Sequence, residues 1–369
     1  MADDYLPWQH IGRPVRARVD APTFPPARDN RSAVKSNPKP TPGLELTSIG
    51  DLLAEPDEAV EYIVEGLIAK ASVNVLSSKP KVGKSTLARA LALAVARGDD
   101  FLGRRCPEIG TVWYLALEGS RGDIRKAFRK LGATADDPIR LFIGKAPGPI
   151  VTQLRTQAIR EQPAIIIIDT MQRFLRAKDT NDYAEMTLLF DDVIQIAQLS
   201  KAAQLLLTHN SKIQREGVDS ILGSTAIAGS VDTAILLTRS ERYRTISTVQ
   251  RTGDDLGDTI LRMDDDGHVH LAGSRYLADK EHLRQRFVEV LEKADAPLRR
   301  LELLELVEGR KTEKLAALKD LVSGDPGTLG TRILTVTGSG TKTDPYFYSV
   351  QVPGFPPIGG NPNPHLPIS

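Results

Sequence analysis

The sequence predicts an α/β fold in which a mostly parallel sheet is covered by helices. Short apolar runs alternate along the chain with segments of helical periodicity, which is typical of strands and helices that follow one another in such a sheet. The run AIIIID (164–169) lacks polar alternation and predicts a central strand that is covered on both faces. The motif GKST (83–86) follows another apolar run and predicts a strand-to-helix turn able to bind a phosphate.

Composition restricts the kinds of partner. The 369 residues include 48 Lys and Arg and 47 Asp and Glu, so any contact with nucleic acid has to come from local patches. Cys106 is the only cysteine, which excludes an intrachain disulfide and a Cys-rich zinc site. The opening MADDYLPWQH resembles no signal peptide, and no apolar stretch reaches the roughly 20 residues of a membrane span. We therefore expect a soluble cytoplasmic protein with no membrane partner.

Changes in composition divide the chain into four parts. Residues 1–43 and 351–369 are rich in Pro and polar residues, with too little periodic apolar content to offset the entropy of ordering, and predict a disordered arm and a disordered tail. Residues 44–275 contain the alternating strands and helices. Residues 280–350 contain helical patterns followed by a hairpin pattern and predict a separate small domain.

The alternating part contains six predicted strands and three predicted helices. The strands are ASVNVLSS (71–78), TVWYLALEG (111–119), PIRLFIG (138–144), PAIIIIDT (163–170), AAQLLLTHN (202–210) and VDTAILLTR (231–239). The helices are STLARALALAVARG (85–98), RGDIRKAFRKLG (121–132) and DYAEMTLLFDDVIQIAQLSK (182–201). Gly98 and Gly132 stand where the first two helices are expected to end.

The small C-terminal domain is expected to be winged-helix-like. Its three predicted helices, KEHLRQRFVEVLEKA, LRRLELLELVEG and TEKLAALKDLVS, precede two strands around a Gly/Thr/Lys turn. Its cations could contact duplex DNA: Arg299, Arg300, Arg310, Lys311, Lys314 and Lys342. Glutamates alternate with these cations, so a helical subdomain that packs or oligomerises without touching DNA is an equal alternative.

The phosphate-loop prediction depends on the whole strand, loop and helix. Backbone N–H groups and the helix start can face a phosphate, Lys84 can reach the β- and γ-phosphates, and the Ser85 hydroxyl can hold Mg²⁺. Ser78 stands where the motif usually has its first glycine. Serine can replace that glycine if the position requires only a small residue. The predicted nucleotide-binding residues are Ser78, Lys79, Pro80, Lys81, Val82, Gly83, Lys84, Ser85 and Thr86. An ordinary strand-to-helix turn is the alternative.

Two acids are expected beside this loop. Asp169 ends the AIIIID strand, at the edge where open α/β sheets bind ligands, and could hold Mg²⁺ through water. Thr170 follows it instead of a second acid, so the base that activates water has to come from another strand. Glu118, after WYLAL, can serve as that base, although it could instead cap the helix that starts near Ser120. ATP and Mg²⁺ are therefore the expected ligands.

Several of these segments together resemble one family. They are SKPKVGKSTLA, VWYLALEGS, IIIIDTMQRF, LLLTHNSK and DSILGSTAIAGSVDTAILLTR. The set is similar to the RecA-like P-loop ATPase core of RepA-type plasmid and phage replicative helicases, which are relatives of the DnaB family. The resemblance covers about residues 46–257 and implies a DNA helicase or translocase.

The resemblance implies roles for individual residues. Glu118 would activate water, Asp169 would be the strand aspartate, and His209 would sense the γ-phosphate. A buried histidine with satisfied hydrogen bonds is the alternative for His209. Single-stranded DNA would be bound by two loops, through Arg176 and Lys178 in the first and Lys212 and Arg215 in the second. Both loops could also simply be solvated.

The resemblance also implies an oligomer. The segment STVQRTGDDLG resembles the one that carries an arginine acting on the neighbouring subunit's γ-phosphate, which falls on Arg251. The family usually has a lysine at the position of Val249, so Arg239 and Arg244 remain candidates. A homo-hexameric ring is expected, with a replication initiator or primase as a further partner, although no segment resembles the primase-binding domain of DnaB proteins.

Three functions fit these observations. The first is an ATP-driven helicase or translocase that acts in the replication of a plasmid, phage or other mobile element. The second is a RecA-like ATPase that binds and remodels DNA without unwinding it. The third is a replication or regulatory factor that uses the nucleotide as a switch with little turnover.

Overall fold

A computed structural model describes residues 46–57, 59–176, 183–209, 229–323 and 334–350. The chain divides into two units, residues 1–58 and 59–369. In the first unit, helix α1 (Ile49–Ala54) begins at Ser48, whose side chain accepts a hydrogen bond from the amide of Asp51. All the other described elements belong to the second unit.

The described strands and helices of the second unit follow in chain order. The strands are β1 (Tyr62–Val64), β2 (Ile68–Ala69), β3 (Val73–Ser78), β4 (Val112–Ala116), β5 (Ile139–Ile143), β6 (Ile165–Asp169), β7 (Ala203–His209), β8 (Thr233–Arg239), β9 (Arg244–Gln250), β10 (Thr259–Met263), β11 (Val269–Ser274), β12 (Leu298–Arg299), β13 (Leu334–Thr337) and β14 (Phe347–Val350). The helices are α2 (Lys84–Arg97), α3 (Arg121–Lys130), α4 (Ile150–Glu161), α5 (Met171–Leu175), α6 (Tyr183–Ser200), α7 (Arg275–Glu292), α8 (Arg300–Leu306) and α9 (Lys311–Ser323).

One nine-stranded sheet organises the larger part of this unit. Its strand order is β11-β10-β9-β8-β3-β7-β6-β4-β5. The six strands from β8 to β5 are parallel, and β9, β10 and β11 extend the sheet antiparallel beyond β8. The prediction of a mostly parallel α/β sheet is therefore confirmed.

The centre of the sheet is covered on both faces. All residues of β3, β4 and β6 are buried, as the uninterrupted apolar runs require. One hydrophobic cluster contains Leu87 and Leu91 of α2, and the cluster on the other face contains Phe190 and Val193 of α6. This packing fixes the ends of the central strands, where the candidate site lies.

The C-terminal elements have a hydrophobic core of their own. Strands β12, β14 and β13 form an antiparallel sheet, and Phe287, Leu303 and Leu318 from the three helices pack in one cluster with Tyr348 of that sheet. Three helices and two final strands were expected from residues 280–350, whereas β12 was not expected and α7 starts earlier, at Arg275. The winged-helix assignment and the division into four domains stay predictions.

Two cations predicted for DNA contact have structural partners in this part. The Nζ of Lys314 donates to the carbonyl oxygens of Leu304, at 2.6 Å, and Val307, at 3.0 Å, and so satisfies the end of helix α8. The guanidinium of Arg299 lies 5.6 Å from the centre of the Phe347 ring, a cation–π contact. Lys314 therefore stabilises the domain and is a poor candidate for a phosphate contact.

The six predicted strands and three predicted helices of the larger part all form, with α2 starting at Lys84, one residue before the predicted helix 85–98. The predicted set lacks α4, α5 and the strands β1, β2, β9, β10 and β11. The predictions for residues 1–43 and 351–369 lie outside the described residues. Among the described helices, none has both the length and the apolar character needed to cross a membrane.

Candidate nucleotide-binding site

Four neighbouring strands end at the same edge of the sheet. In the strand register, Ser78 at the end of β3 pairs with His209 at the end of β7, and Asp169 at the end of β6 pairs with Ala116 at the end of β4. Glu118 follows β4 by two residues. The sheet therefore brings the phosphate loop, both predicted acids and the predicted sensor to one carboxyl edge, which is where α/β sheets bind ligands.

Ser78 has a specific role at the start of the phosphate loop. It is fully buried as the last residue of β3, and its extended conformation requires no glycine. Its hydroxyl and carbonyl oxygens accept hydrogen bonds from the Nζ of Lys84 at 3.2 and 3.3 Å. The serine thus supplies an acceptor that glycine would lack, and it keeps the lysine ammonium inside the loop.

Lys84 is buried, and nearby carboxylates partly offset the effect of burial on its pKa. Its Nζ lies 3.0 Å from Nδ1 of His209, and only 6 % of the residue is exposed. Burial lowers the pKa of Lys84 to about 8, although the charges of Asp169 and Glu118 act in the opposite direction. Burial, and then the charge of Lys84, also lowers the pKa of His209. Because an ammonium group only donates hydrogen bonds, Nδ1 of His209 is the acceptor in this contact.

Asp169 is oriented by a buried tyrosine on the neighbouring strand. The hydroxyl of Tyr114, which is fully buried in β4, donates to Oδ2 of Asp169 at 2.9 Å. Ser85, the residue after Lys84, lies in the first turn of α2 and is half-buried. A carboxylate and a hydroxyl are oxygen ligands of the type that Mg²⁺ prefers, together with water and phosphate oxygens. These two side chains therefore fit the expected metal.

Glu118 contacts the short helix that follows β6. Its Oε1 accepts hydrogen bonds from the Thr170 hydroxyl at 3.2 Å and from the Arg173 Nε at 3.3 Å. The N-cap of α3 is Ser120, whose side chain accepts from the amide of Asp123, so Glu118 is not the cap of that helix. The carboxylate faces the same edge as Lys84, whose pKa it helps to raise.

The antiparallel extension packs against the phosphate loop of the same chain. Nε of Arg244, the first residue of β9, donates to the Val82 carbonyl oxygen at 2.6 Å. Gly83 has a φ of 116°, and a Cβ built on it would lie 2.8 Å from the sulfur of Met263 in β10. Only glycine satisfies both constraints at this position. Arg244 therefore positions the loop in cis, which disfavours its assignment as the arginine that acts on a neighbour.

Arg251 lies at the opposite edge of the sheet. Its Nη2 donates to the Gly229 carbonyl oxygen at 2.8 Å, and its Nη1 pairs with Asp232 at 3.4 Å. Asp232 in turn accepts from the amide of Val73, the first residue of β3. The length of β3, about 17 Å at the usual rise per residue, separates Arg251 from the phosphate loop of its own chain. Arg251 could therefore reach such a loop only in another copy.

One of the four predicted DNA-binding residues is described. A guanidinium nitrogen of Arg176, the residue that ends α5, donates to the carbonyl oxygen of Ala146. Lys178, Lys212 and Arg215 lie outside the described residues. Arg176 lines a cleft next to Glu118 with other cations.

Sequence reasoning gave no role to three residues that contact the predicted site, Tyr114, Thr170 and Arg173, and it named Arg244 only as a candidate for the arginine that acts on a neighbour. For the first three the sequence offers a signal, since each lies within four residues of Glu118 or Asp169 on a strand or helix that ends at the site. Arg244 contacts the loop only because the sheet continues antiparallel beyond β8, and no motif indicates that continuation.

The chain is similar to one protein family and to several solved structures. A family described as an AAA domain matches residues 38–215. No curated protein matches. A KaiC-like protein from the hyperthermophilic archaeon Pyrococcus horikoshii matches with a TM-score of 0.42 and 12 % identity over 57 % of this chain and 93 % of that one. The ATPase domain of G40P matches with a TM-score of 0.44 and 16 % identity over 60 % and 95 %. The RadB recombinase matches with a TM-score of 0.43 and 14 % identity over 55 % and 91 %.

The sheet order and the phosphate loop accompany the family match. The described core is an α/β domain with a mostly parallel central sheet, and its phosphate loop lies within the residues that are similar to the AAA family. Phosphate-loop ATPases generally bind a nucleoside triphosphate together with Mg²⁺. Lys84 and Asp169 lie at the edge of the sheet where such a ligand would bind.

Proposed function

We propose that this protein is an ATP-hydrolysing, ring-forming DNA helicase or translocase that acts in the replication of a plasmid, phage or other mobile element. The observation that carries the proposal is the position of Lys84 between His209 and the two acids, Asp169 and Glu118. A lysine, a metal-binding acid and a separate base around one phosphate loop are the parts that ATP hydrolysis requires. RepA-type helicases, which the sequence resembles, have these parts on this kind of sheet.

The residues of the site have distinct chemical roles in this proposal. Backbone N–H groups of residues 78–86 bind the phosphates, and Lys84 moves from its contacts with Ser78 to the β- and γ-phosphates. Ser85 and Asp169 hold Mg²⁺, which neutralises charge on the phosphate oxygens when bound. Glu118 accepts the proton of the attacking water as the bond from the γ-phosphorus to the bridging oxygen breaks, and ADP and phosphate are released.

Two residues connect hydrolysis to movement in the proposed ring. His209 contacts Lys84, so its position can follow the presence of the γ-phosphate. Residues 212–224 come directly after this strand in the chain, and we propose that they bind single-stranded DNA with Lys178 and Arg176. Arg251 would complete the site of the next subunit in a homo-hexamer, since it lies far from its own loop. A replication initiator or primase would load the ring.

A strand-displacement assay tests this proposal. A duplex with a single-stranded tail is incubated with the protein and ATP, and release of the labelled strand is measured. We expect ATP-dependent release, and none with Lys84→Ala. DNA-stimulated hydrolysis without release would instead favour a RecA-like ATPase that remodels DNA. Unchanged biological activity of Glu118→Gln would favour a factor that uses the nucleotide as a switch.

The C-terminal elements are proposed to form a winged-helix-like domain. The order of α7, β12, α8, α9, β13 and β14 supports this assignment. With Lys314 and Arg299 engaged inside the domain, the cations that could contact duplex DNA are Arg300, Arg310, Lys311 and Lys342. Their alternation with glutamates leaves a packing or oligomerisation surface as the second candidate function.

A further inference from the structure

A positively charged cleft lies beside Glu118, on the side of helix α5. It has a volume of about 740 Å³. Among the described residues, its charged lining consists of three cations, Lys145, Arg173 and Arg176, and one carboxylate, Glu118. The net charge of this lining is positive, so the cleft attracts anions more strongly than a balanced surface would.

The carboxylate of Glu118 is paired with one of these cations. Nε of Arg173 lies 3.3 Å from Oε1, and the Thr170 hydroxyl donates to the same oxygen. Proton transfer from water to Glu118 would neutralise the carboxylate and remove its attraction to Arg173. The ion pair therefore opposes the step that the proposed mechanism assigns to Glu118.

Arg173 is accessible to a competing anion. Its side chain is 69 % exposed and that of Glu118 is 44 % exposed, so the pair is of the solvent-screened kind that contributes little energy. Guanidinium groups bind phosphate oxygens through paired hydrogen bonds that a single carboxylate contact at 3.3 Å does not provide. A phosphate in the cleft would also interact with Lys145 and Arg176.

We propose that this cleft binds a backbone phosphate of a nucleic acid strand, and that the phosphate draws Arg173 away from Glu118. Strand binding then releases the group that activates water, and hydrolysis becomes faster when a strand is bound. The inference rests on the proposed function, since it concerns the same glutamate. A ring that moves along DNA gains from this arrangement, because less ATP is consumed without a strand.

The coupling is reciprocal, which gives a test that needs no hydrolysis. If the strand weakens the ion pair, then removal of the carboxylate has to strengthen strand binding by the same factor. For an exposed pair this factor is about two to five. The probe is a fluorescently labelled oligothymidylate, and its affinity is measured without nucleotide for wild type, Glu118→Gln, Arg173→Ala and the double variant.

We expect Glu118→Gln to bind the oligonucleotide about two- to fivefold more tightly than wild type, and we expect this gain to vanish in the Arg173→Ala background. A gain that persists without Arg173, or no gain at all, would overturn the proposal. Arg105→Ala is the matched control, because Arg105 forms a similarly exposed pair with Glu65, at 75 % and 39 % side-chain exposure. It should leave the affinity unchanged.

Steady-state hydrolysis provides the second measurement. Arg173→Ala should hydrolyse ATP about two- to fivefold faster than wild type without DNA and should respond less to added oligothymidylate. Lys145→Gln should raise the oligonucleotide concentration needed for half-maximal stimulation. A slower DNA-free rate with full stimulation in Arg173→Ala would overturn the proposal, as would equal stimulation of wild type by inorganic phosphate.

Failure of the proposed function can be distinguished from failure of the ion-pair proposal. If wild type hydrolyses no ATP, the proposed function fails, while the oligonucleotide titration still reports on the ion pair. If wild type hydrolyses ATP and is stimulated by DNA but Arg173→Ala behaves like Arg105→Ala, only the ion-pair proposal fails.

Discussion

The two sides of the candidate site differ in how firmly their charged groups are held. On the phosphate side, Lys84 is buried at the start of α2 and contacts Ser78 and His209, which end two adjacent parallel strands. On the water side, Glu118 and its partner Arg173 are both substantially exposed. The phosphate side is therefore preorganised by the sheet, whereas the water side can change partners without disturbing the core.

This difference indicates which interactions are constant and which are open to regulation. Buried groups with fixed partners resist rearrangement, since moving them leaves a charge without compensation. An exposed ion pair is worth at most about 1 kcal/mol and can be exchanged for a ligand. Substitutions on the two sides should accordingly differ in size and in what they change, and three measurements on Lys84 and Tyr114 characterise the phosphate side.

The largest effect is expected for Lys84→Ala. The variant removes the only buried ammonium of the loop, and the loss of a charged hydrogen bond to phosphate of about 3 kcal/mol corresponds to about 100-fold weaker nucleotide binding. Titration with a fluorescent ADP analogue measures the change. Lys126→Ala, on the exposed surface of α3, is the control and should bind normally. Wild-type affinity in Lys84→Ala would remove the basis for a nucleotide site.

A smaller, pH-dependent effect is expected from the same lysine. Because the pKa of Lys84 is about 8 in the free protein, the ammonium loses its proton as the pH rises past that value, and nucleotide binding then has to take up a proton. The affinity should fall by up to about tenfold between about pH 8 and 9. Lys84→Arg stays charged throughout and should show no such fall. An equal pH dependence in both proteins would contradict the assignment.

The smallest effect is expected for Tyr114→Phe. This substitution removes one hydrogen bond to Asp169 and leaves the ring in place, so stability should decrease by about 1 kcal/mol. The Mg²⁺ concentration needed for half-maximal hydrolysis should rise a few-fold, because Asp169 loses its orientation. Tyr276→Phe, at an exposed tyrosine, is the control. A loss of stability with unchanged Mg²⁺ dependence would show that Tyr114 has only a structural role.

The contrast between the two sides also explains what the sequence could predict. Lys84, Asp169 and Glu118 follow apolar strands, and parallel strands present their carboxyl ends at one edge, so strand prediction alone brought these residues together. The role of Ser78 as an acceptor for Lys84 was not predicted, because the motif is defined by glycine at that position.

Contacts between residues that are far apart in the sequence could not be predicted, because they depend on how the sheet is assembled. The contact of Arg244 with Val82 joins residues 162 positions apart and depends on three antiparallel strands whose addition to a parallel sheet has no local signal. The Arg173 pair with Glu118 depends on the direction of a short helix after β6. The domain boundaries, the winged-helix assignment and the role of Arg251 in a neighbouring copy stay predictions.

The most direct test of the central claim, that Glu118 activates water on a triphosphate held by Lys84, is a comparison of binding and turnover in Glu118→Gln. The amide keeps the shape of the side chain but cannot take the proton. We expect ATP affinity within about threefold of wild type and a turnover rate reduced about 10²- to 10⁴-fold, the usual contribution of a general base. Turnover close to that of wild type would contradict it.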